Sequence, residues 1–266
     1  MASKHRISVR AATPADVDAI SDVNFAAFDD NVMNKLMYPN GITDELREKN
    51  RERFMPALVK DDKPEDKKKG QELLYVAEYW PPNSPADAPG EIIAMAKWTL
   101  YREPRTEEEW KADDFKATAE RFGQGSNLAF IDAFIGGLNS KTQSHVKGDP
   151  HLHLGVLACR PDRQGLGAGT ALLRWGLDLA DSLGIPTHLE ASPAGYPLYR
   201  KFGFEDIDVL DLDLARDWGM QRPDGKDWGA NIAVELVGPA PEGVSRSGIM
   251  RRPARKTGAE EPPSRR

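Results

Sequence analysis

Residues 151–204 read HLHLGVLACRPDRQGLGAGTALLRWGLDLADSLGIPTHLEASPAGYPLYRKFGF, and the order of parts in this stretch decides the fold. An apolar, strand-like run from His151 to Cys159 leads into Gln164-Gly165-Leu166-Gly167-Ala168-Gly169. A helix follows at once, with Leu172, Leu173, Gly176, Leu177, Ala180 and Leu183 forming a stripe at helical spacing. Thr187–Ser192 reads as the next, parallel strand, Tyr196–Phe202 as a short helix and Gly203-Phe204 as its stop.

Three glycines at alternate positions leave the backbone bare, so that its N–H groups can converge on a bulky anion. They sit where a helix begins, and the unpaired amides and dipole of a first turn favour negative charge. Gln164 and Thr170 add hydrogen-bonding capacity, and Arg160 and Arg163 add positive charge on the approach. A phosphate or pyrophosphate suits this segment, and a tight turn that merely packs helix on sheet is the bland alternative. No Lys follows the last glycine, so the spacing is not that of a nucleotide P-loop. The third glycine comes too early for the dinucleotide fingerprint, although Glu190 lies on the following strand, which leaves that reading weakened and not abolished.

The run from Leu157 to Leu173 resembles motif A of the GCN5-related N-acetyltransferases (GNAT family), whose signature is Q/R-x-x-G-x-G/A. Gln164, Gly167 and Gly169 fall on its three defining positions, and Tyr199, four residues before Gly203-Phe204, resembles the Tyr of motif B. The opening Arg10-x-Ala12-x-Pro14-x-Asp16 is similar to the start of many members. The resemblance implies an α/β (α+β) fold: a central mixed, mostly antiparallel sheet with two splayed parallel central strands, flanked by helices. It also implies acetyl-CoA as co-substrate, with no metal.

At 266 residues the chain has material for one large domain or two small ones. Arg6–Thr13 alternates as a first strand, and Thr13-Pro14 reads as a helix start. Residues 29–39 read as irregular, 43–60 as a charged second helix, and 61–70 as a solvated Lys/Asp loop. Glu72–Trp80 and Glu91–Tyr101 form an antiparallel pair across a Pro-rich excursion. Residues 104–148 read as an inserted helical subdomain, whose apolar face is core or acceptor-site wall. Asp206–Leu214 and Asn231–Val237 read as a closing antiparallel pair, with the loop 216–229 and its Trp218 and Trp228 over the sheet edge. The domain is therefore drawn as 1–238. Pro239–Arg266, with seven basic and three acidic residues, reads as a disordered basic tail that could carry a nuclear address.

A net charge of −6 gives no global case for nucleic acid, and no apolar run has membrane-spanning length. The first residues lack the apolar core of a secretory signal, and a single cysteine, Cys159, excludes an internal disulfide. Together these read as a cytoplasmic protein, with a homodimer left open.

By resemblance, the backbone of Gln164, Gly165, Leu166, Gly167, Ala168, Gly169 and Thr170 holds the pyrophosphate of acetyl-CoA. Leu157, Ala158 and Cys159 line its pantetheine arm, with Ser192 nearby, and an amide of Leu157 or Cys159 polarises the thioester. Tyr199 is the candidate general acid, because a phenol titrating near 10 is still protonated where a thiolate of pKa about 8.5 leaves. Tyr196 is a poorer fit to the motif position. For the base, the two-residue period places His151 and His153 on one face with Leu157 and Cys159, while His188 and Glu190 share a face of the next strand. His153 and Glu190 are the first choices. Cys159 reads as a small buried hydrophobe and not as a nucleophile. The function expected is direct acetyl transfer to a primary amine of a small molecule. The alternatives are a protein or peptide N-acetyltransferase and a non-catalytic acyl-CoA-binding module, with a nucleotide-dependent oxidoreductase behind all of them.

Overall fold

A computed structural model of the chain describes residues 5–59, 70–111 and 115–255. The Lys/Asp run and the end of the basic tail, residues 60–69 and 256–266, lie outside the described residues, as do 1–4 and 112–114.

Strand β1 (Arg6–Ala11) leads to Thr13, whose backbone and hydroxyl both donate to Asp16 at 2.8 and 2.9 Å. Asp16 also accepts from Arg10 at 2.7 and 3.0 Å, which locks the strand-to-helix corner where Pro14 supplies a fixed φ. Helix α1 (Val17–Phe28) follows, then a short α2 (Val32–Met37) in the segment expected to be irregular. Helix α3 (Asp44–Leu58) starts at Thr43, whose hydroxyl accepts from Leu46 N at 3.1 Å, with Asp44 and Glu45 favoured by the dipole of the first turn. Strands β2 (Gln71–Trp80) and β3 (Glu91–Tyr101) pair antiparallel.

The segment 104–148 closes at its neck, where Arg105 N donates to Gly148 O at 2.9 Å. Within it lie α4 (Glu107–Lys111), α5 (Ala119–Phe122), α6 (Leu128–Ile131) and α7 (Gly137–Val146), with a single π turn at Asp132–Gly136 joining the last two. Strand β4 (His151–Cys159), helix α8 (Ala168–Leu183) and strand β5 (Thr187–Ala191) make the βαβ unit. After α9 (Tyr196–Lys201) come β6 (Glu205–Asp213), α10 (Leu214–Trp218), α11 (Val234–Val237) and β7 (Val244–Arg252). The seven strands form one sheet in the order β1-β2-β3-β4-β5-β7-β6, in which only β4 and β5 run parallel.

Two layers cover this sheet. Helix α8 buries Leu172, Leu173, Leu177 and Ala180 against Trp98, Leu100, Leu152 and Leu154. On the other face, α1 and α3 pack Ile20, Val23 and Phe54 on Leu74, Val76 and Met95. Each fully buried Leu, Ile or Phe contributes roughly 1.5–3 kcal/mol. A third cluster of Met33, Phe130, Leu214 and Trp228 ties the insertion to α2 and to the loop before β7. Trp218 stands edge-on to Phe130 there, so both tryptophans of the 216–229 loop pack on the inserted helices.

Two expectations are corrected. The antiparallel partner of β6 is not Asn231–Val237, which turns through Ala233 at φ 52° into α11. It is Val244–Arg252, inside the segment read as a disordered tail, and this strand is inserted between β5 and β6. Beside the buried Ile249 and Met250 it buries Ser245, Arg246, Ser247 and Arg252, which hid it from a hydrophobic pattern. Arg246 is buried, bonding Asp211 through Nε and Nη2, each at 2.7 Å, and Arg252 is buried against Asp181 at 2.8 Å twice. The domain boundary at 238 therefore falls inside the folded unit.

The close approach of α8 to the sheet depends on Gly176, where a Cβ would stand 2.2 Å from the ring of fully buried Trp98. Gly→Ala inside an exposed helix stabilises by about 1 kcal/mol. At this position overpacking dominates, and Gly176→Ala should lower the stability measured by urea unfolding by about 1–3 kcal/mol.

Candidate active site

Strand β4 carries the feature that builds the site. Lys97 of β3 is in register with Val156 and Trp98 with Leu154, so Gly155 is an extra, unpaired residue, a β-bulge. The extra residue reverses the alternation. Leu152 and Leu154 face α8, and beyond the bulge so do Leu157 and Cys159, whereas Val156 and Ala158 pack on the α1/α3 side. His151 and His153 consequently point away from the face of Leu157 and Cys159, opposite to what an unbroken two-residue period predicts.

The bulge is also where β4 and β5 part. They pair only at Leu152–Thr187, His153–His188 and Leu154–Leu189. From Gly155 onward β4 stays hydrogen-bonded to β3 but has no register with β5, and Gly155 is exposed in mid-strand. The backbone edge of 155–159 is thus open toward β5, in the place expected for Leu157, Ala158 and Cys159 to line a ligand. Ala158 is itself buried, so only its backbone could serve. The Cys159 thiol is raised by burial and then by Asp162, and its Sγ lies 3.6 and 3.7 Å from the carbonyls of Arg160 and Arg163, so it remains a thiol and not a nucleophile.

Beyond the open edge lies the glycine turn. Gly165 and Gly167 have φ of 78° and 91°, values that side-chain-bearing residues rarely adopt, and Gly167 is the N-cap of α8. A Cβ on Gly165, Gly167 or Gly169 would meet no atom within 4 Å, so the cradle is bare on the outer side. The amides of Ala168, Gly169 and Thr170, in the first turn, have no acceptor within the helix. Arg160 and Arg163 do not face this cradle as free charges. Both bond Glu91, at 2.5 and 3.2 Å, and both pair with Asp162, so the expected approach charge is neutralised inside the protein.

At the parting point His153 Nε2 lies 2.9 and 3.2 Å from the two oxygens of Glu190. Thr142, from α7, donates its hydroxyl to the same carboxylate. Burial alone would lower the His153 pKa, but the charge and hydrogen bond of Glu190 outweigh it and raise the value. Burial likewise opposes ionisation of Glu190, and His153 and Thr142 overcome it and hold the carboxyl below its ordinary range. The two other strand histidines are different. His151 and His188 are driven down to about 4 and about 3, chiefly by burial, and stay neutral core residues, His151 stacked on Tyr101 and edge-on to His188.

Tyr199 is buried beside Phe204 at the end of β5, and its hydroxyl is pushed up by burial and then by the charge of Glu190. The phenol is therefore protonated across the physiological range and within electrostatic reach of the pair. Tyr196 instead donates to Asp206 at 2.7 Å and accepts from Ala233 N, a structural role. Ser192 accepts from Gly195 N and Tyr196 N, which starts α9. The fold thus brings together His153, Glu190, Tyr199, the 155–159 edge and the glycine turn. Sequence reasoning missed Thr142, for which no local signal exists, and Lys97, a lone charge inside the apolar run of β3, which salt-bridges Glu72 at 2.6 Å.

The same fold recurs in known proteins. Residues 91–204 match the acetyltransferase (GNAT) family model. A probable acyltransferase, SID5 of Ajellomyces capsulatus, is 44% identical over 41 residues, which are 15% of this chain and 30% of that protein. The chain therefore aligns with under a third of the length of that curated relative. Among solved structures, mosquito arylalkylamine N-acetyltransferase like 5b has a TM-score of 0.55 at 16% identity, covering 93% of this chain and 100% of that one. The Drosophila melanogaster polyamine N-acetyltransferase that forms N-acetylagmatine has a TM-score of 0.54 at 14% identity, with the same coverage. At these identities the likeness is one of fold.

The His153–Glu190 pair makes a titration test. Its folded His153 pKa is raised, so the pair's contribution to stability is complete below 6.5 and is lost as pH rises through the folded value. Its folded Glu190 pKa is lowered, so the contribution is complete above 4.5 and is lost as pH falls through that folded value. NMR titration should place the His153 midpoint above 6.5 in the native protein. In Glu190→Gln it should fall below 6.5, because burial and Lys97 then act unopposed.

Proposed function

We propose that the chain, whose residues 91–204 match the acetyltransferase (GNAT) family model, is an N-acetyltransferase that moves an acetyl group directly from acetyl-CoA to the primary amine of a small molecule. The observation that carries this reading is the parting of β4 from β5 at Gly155, with the glycine cradle beyond the open edge and a titratable pair beside it.

The residues fit the co-substrate. A bare, left-handed glycine turn at a helix start suits a pyrophosphate, and an open strand edge suits an extended amide-bearing arm. Acetyl-CoA supplies the acetyl group as an activated thioester when bound. The amides of Gly165 to Thr170 bind its phosphates by dipoles, since Arg160 and Arg163 are engaged elsewhere. An amide of Leu157 or Cys159, on the open edge, polarises the acyl oxygen.

An acceptor amine arrives mostly protonated, and the group that relieves it of its proton is assigned to His153. Ionised Glu190 accepts from Nε2, which leaves Nδ1 as the acceptor atom. Glu190 then stabilises the imidazolium, as an orienting carboxylate does in other histidine bases. Thr142 fixes Glu190 from the inserted helix. Tyr199 holds a proton for the departing thiolate.

The insertion favours a small acceptor. Helix α7 packs on β5, β6 and β7, and α6 on α2, so the face that carries His153 and Glu190 is roofed where a protein substrate would need a groove. An intact acid and base argue against a binding-only module.

The test is calorimetry with acetyl-CoA beside a thiol-release assay over an amine panel. Gly169→Glu keeps a helical backbone while filling the cradle with a carboxylate, and it should weaken acetyl-CoA binding at least about 10-fold. Tyr199→Phe should bind normally and lose about 10²-fold in kcat. Unchanged turnover in Tyr199→Phe would remove the acid assignment, and absence of acetyl-CoA binding by the native protein would remove the whole reading.

A further inference from the structure

Helix α7 carries few apolar side chains for a helix packed on a sheet. Among its ten residues Leu138 and Val146 are the large apolar ones, so a hydrophobic stripe does not fix its position. Directional bonds do. Lys141 Nζ donates to both oxygens of Asp208 on β6, at 3.1 and 3.0 Å, and His145 Nε2 donates to Oδ2 at 3.1 Å. Thr142 is buried and donates its hydroxyl to Glu190 on β5. Where the helix begins, Gly137 comes so close to β6 that a Cβ would stand 3.0 Å from Leu210. Gly137, Lys141 and His145 recur every fourth residue along the side of the helix that lies over β6, and Thr142, next to Lys141, reaches β5.

The sheet is shaped to receive this helix. Glu190 and Asp208 are both in register with Ile249 of β7, one on either side, so the two carboxylates flank a fully buried residue on a single face. Asp208 reaches that face through a second bulge. Asp206 stands opposite Met250 and Asp208 opposite Ile249, which leaves Ile207 as an extra, unpaired residue. In an unbroken strand Ile207 would stand opposite Ile249, and Asp208 would point to the α8 side. Ion pairs as exposed as Lys141–Asp208 and His145–Asp208 contribute little to stability. Two donors on one carboxylate instead give the helix that carries Thr142 a fixed place and rotation.

From these contacts we infer that α7 is the positioning element of the His153–Glu190 pair: Asp208, through Lys141 and His145, sets the helix, and Thr142 holds the Glu190 carboxylate in the orientation that faces His153. Asp208, Lys141, His145 and Thr142 are thus positioning residues that act through Glu190. The terminal torsion of a glutamate is broad, so a carboxylate bonded from one side alone can swing. Here Oε1 accepts from Thr142 and lies 3.2 Å from His153 Nε2, while Oε2 lies 2.9 Å from the same nitrogen, so donors from two elements define the plane of the group. The inserted segment thereby enters the chemistry and is more than a wall. The inference rests on the acetyl-transfer reading for the role of His153 as base, whereas the hold of α7 on Glu190 stands on the contacts alone.

The experiment has two readouts. In kinetics with an accepted amine, Thr142→Val, which keeps the shape and removes the hydroxyl, should lose about 10-fold in kcat with KM for acetyl-CoA unchanged. Thr142→Ser, which keeps the hydroxyl, should recover most of that loss. Lys141→Met, at a half-exposed side chain, should lose about 3-fold, and this loss should vanish in the Thr142→Val background, because the clamp acts through the hydroxyl. The second readout needs no turnover. Burial opposes ionisation of Glu190, and Thr142 is, after His153, one of the groups that overcome it. NMR of the Glu190 carboxyl carbon should therefore show its titration moving up in Thr142→Val and returning in Thr142→Ser. A smaller upward move in Lys141→Met alone keeps the test valid if Thr142→Val does not fold. These NMR shifts without any acetylated amine would support the positioning role while the acetyl-transfer reading failed. Native kcat in Thr142→Val with an unmoved Glu190 titration would overturn the inference and leave acetyl transfer intact. Independent, additive losses in the double variant would overturn the clamp.

Discussion

One extra residue in β4 is the constraint on which the site depends. Buried backbone N–H and C=O groups must be paired, and β4 meets that demand on its β3 side from end to end. On its β5 side it does so only through Leu154. The bulge at Gly155 tilts the strand away from its parallel neighbour, and the unpaired edge is left where an extended ligand can complete the ladder. The strand is followed by one short turn, Pro161–Arg163, and then by the glycine turn, so the open edge and the anion cradle are close neighbours in the chain.

The bulge also sorts chemistry between the two faces. The half of β4 before it sends Leu152 and Leu154 toward α8 and His151 and His153 the other way. The half after it sends Leu157 and Cys159 toward α8. The α8 side is therefore almost wholly apolar, while His153, Glu190, Lys97 and Glu72 occupy the side roofed by α3 and the inserted helices. A buried ion pair adds little to stability compared with well-packed hydrophobic residues. The retention of two such pairs on one face, beside an open strand edge, is better explained by proton handling and ligand recognition than by folding.

Much of the fold was legible because its elements obey simple periods. The alternation of Arg6–Ala11, the Thr13-Pro14 helix start, the helical stripe of α8 and the glycine turn are local signals, and each element formed within a few residues of the expected place. Three features were hidden for different reasons. The bulge was signalled only by a lone glycine inside an apolar strand, and ignoring it put His153 on the wrong face. Strand β7 was hidden because Ser245, Arg246, Ser247 and Arg252, polar residues that normally mark a surface, are all buried. The apolar run at 231–237 competed for the same place in the sheet, and the left-handed Ala233 shows why it could not extend. The third, Thr142, comes from a distant insertion, and no spacing within the sequence connects it to Glu190.

Charge in this protein takes its meaning from its partners. Arg246 and Arg252, counted as part of a basic tail, are internal cross-links to Asp211 and Asp181. Arg160 and Arg163, which flank the phosphate cradle in sequence, are held by Glu91 and Asp162. The cradle is left to bind its anion with backbone dipoles, which need no side-chain ordering and no desolvation of a full charge. A dipolar site suits a ligand that every turnover must bind and release, because neither partner leaves a bare buried ion behind.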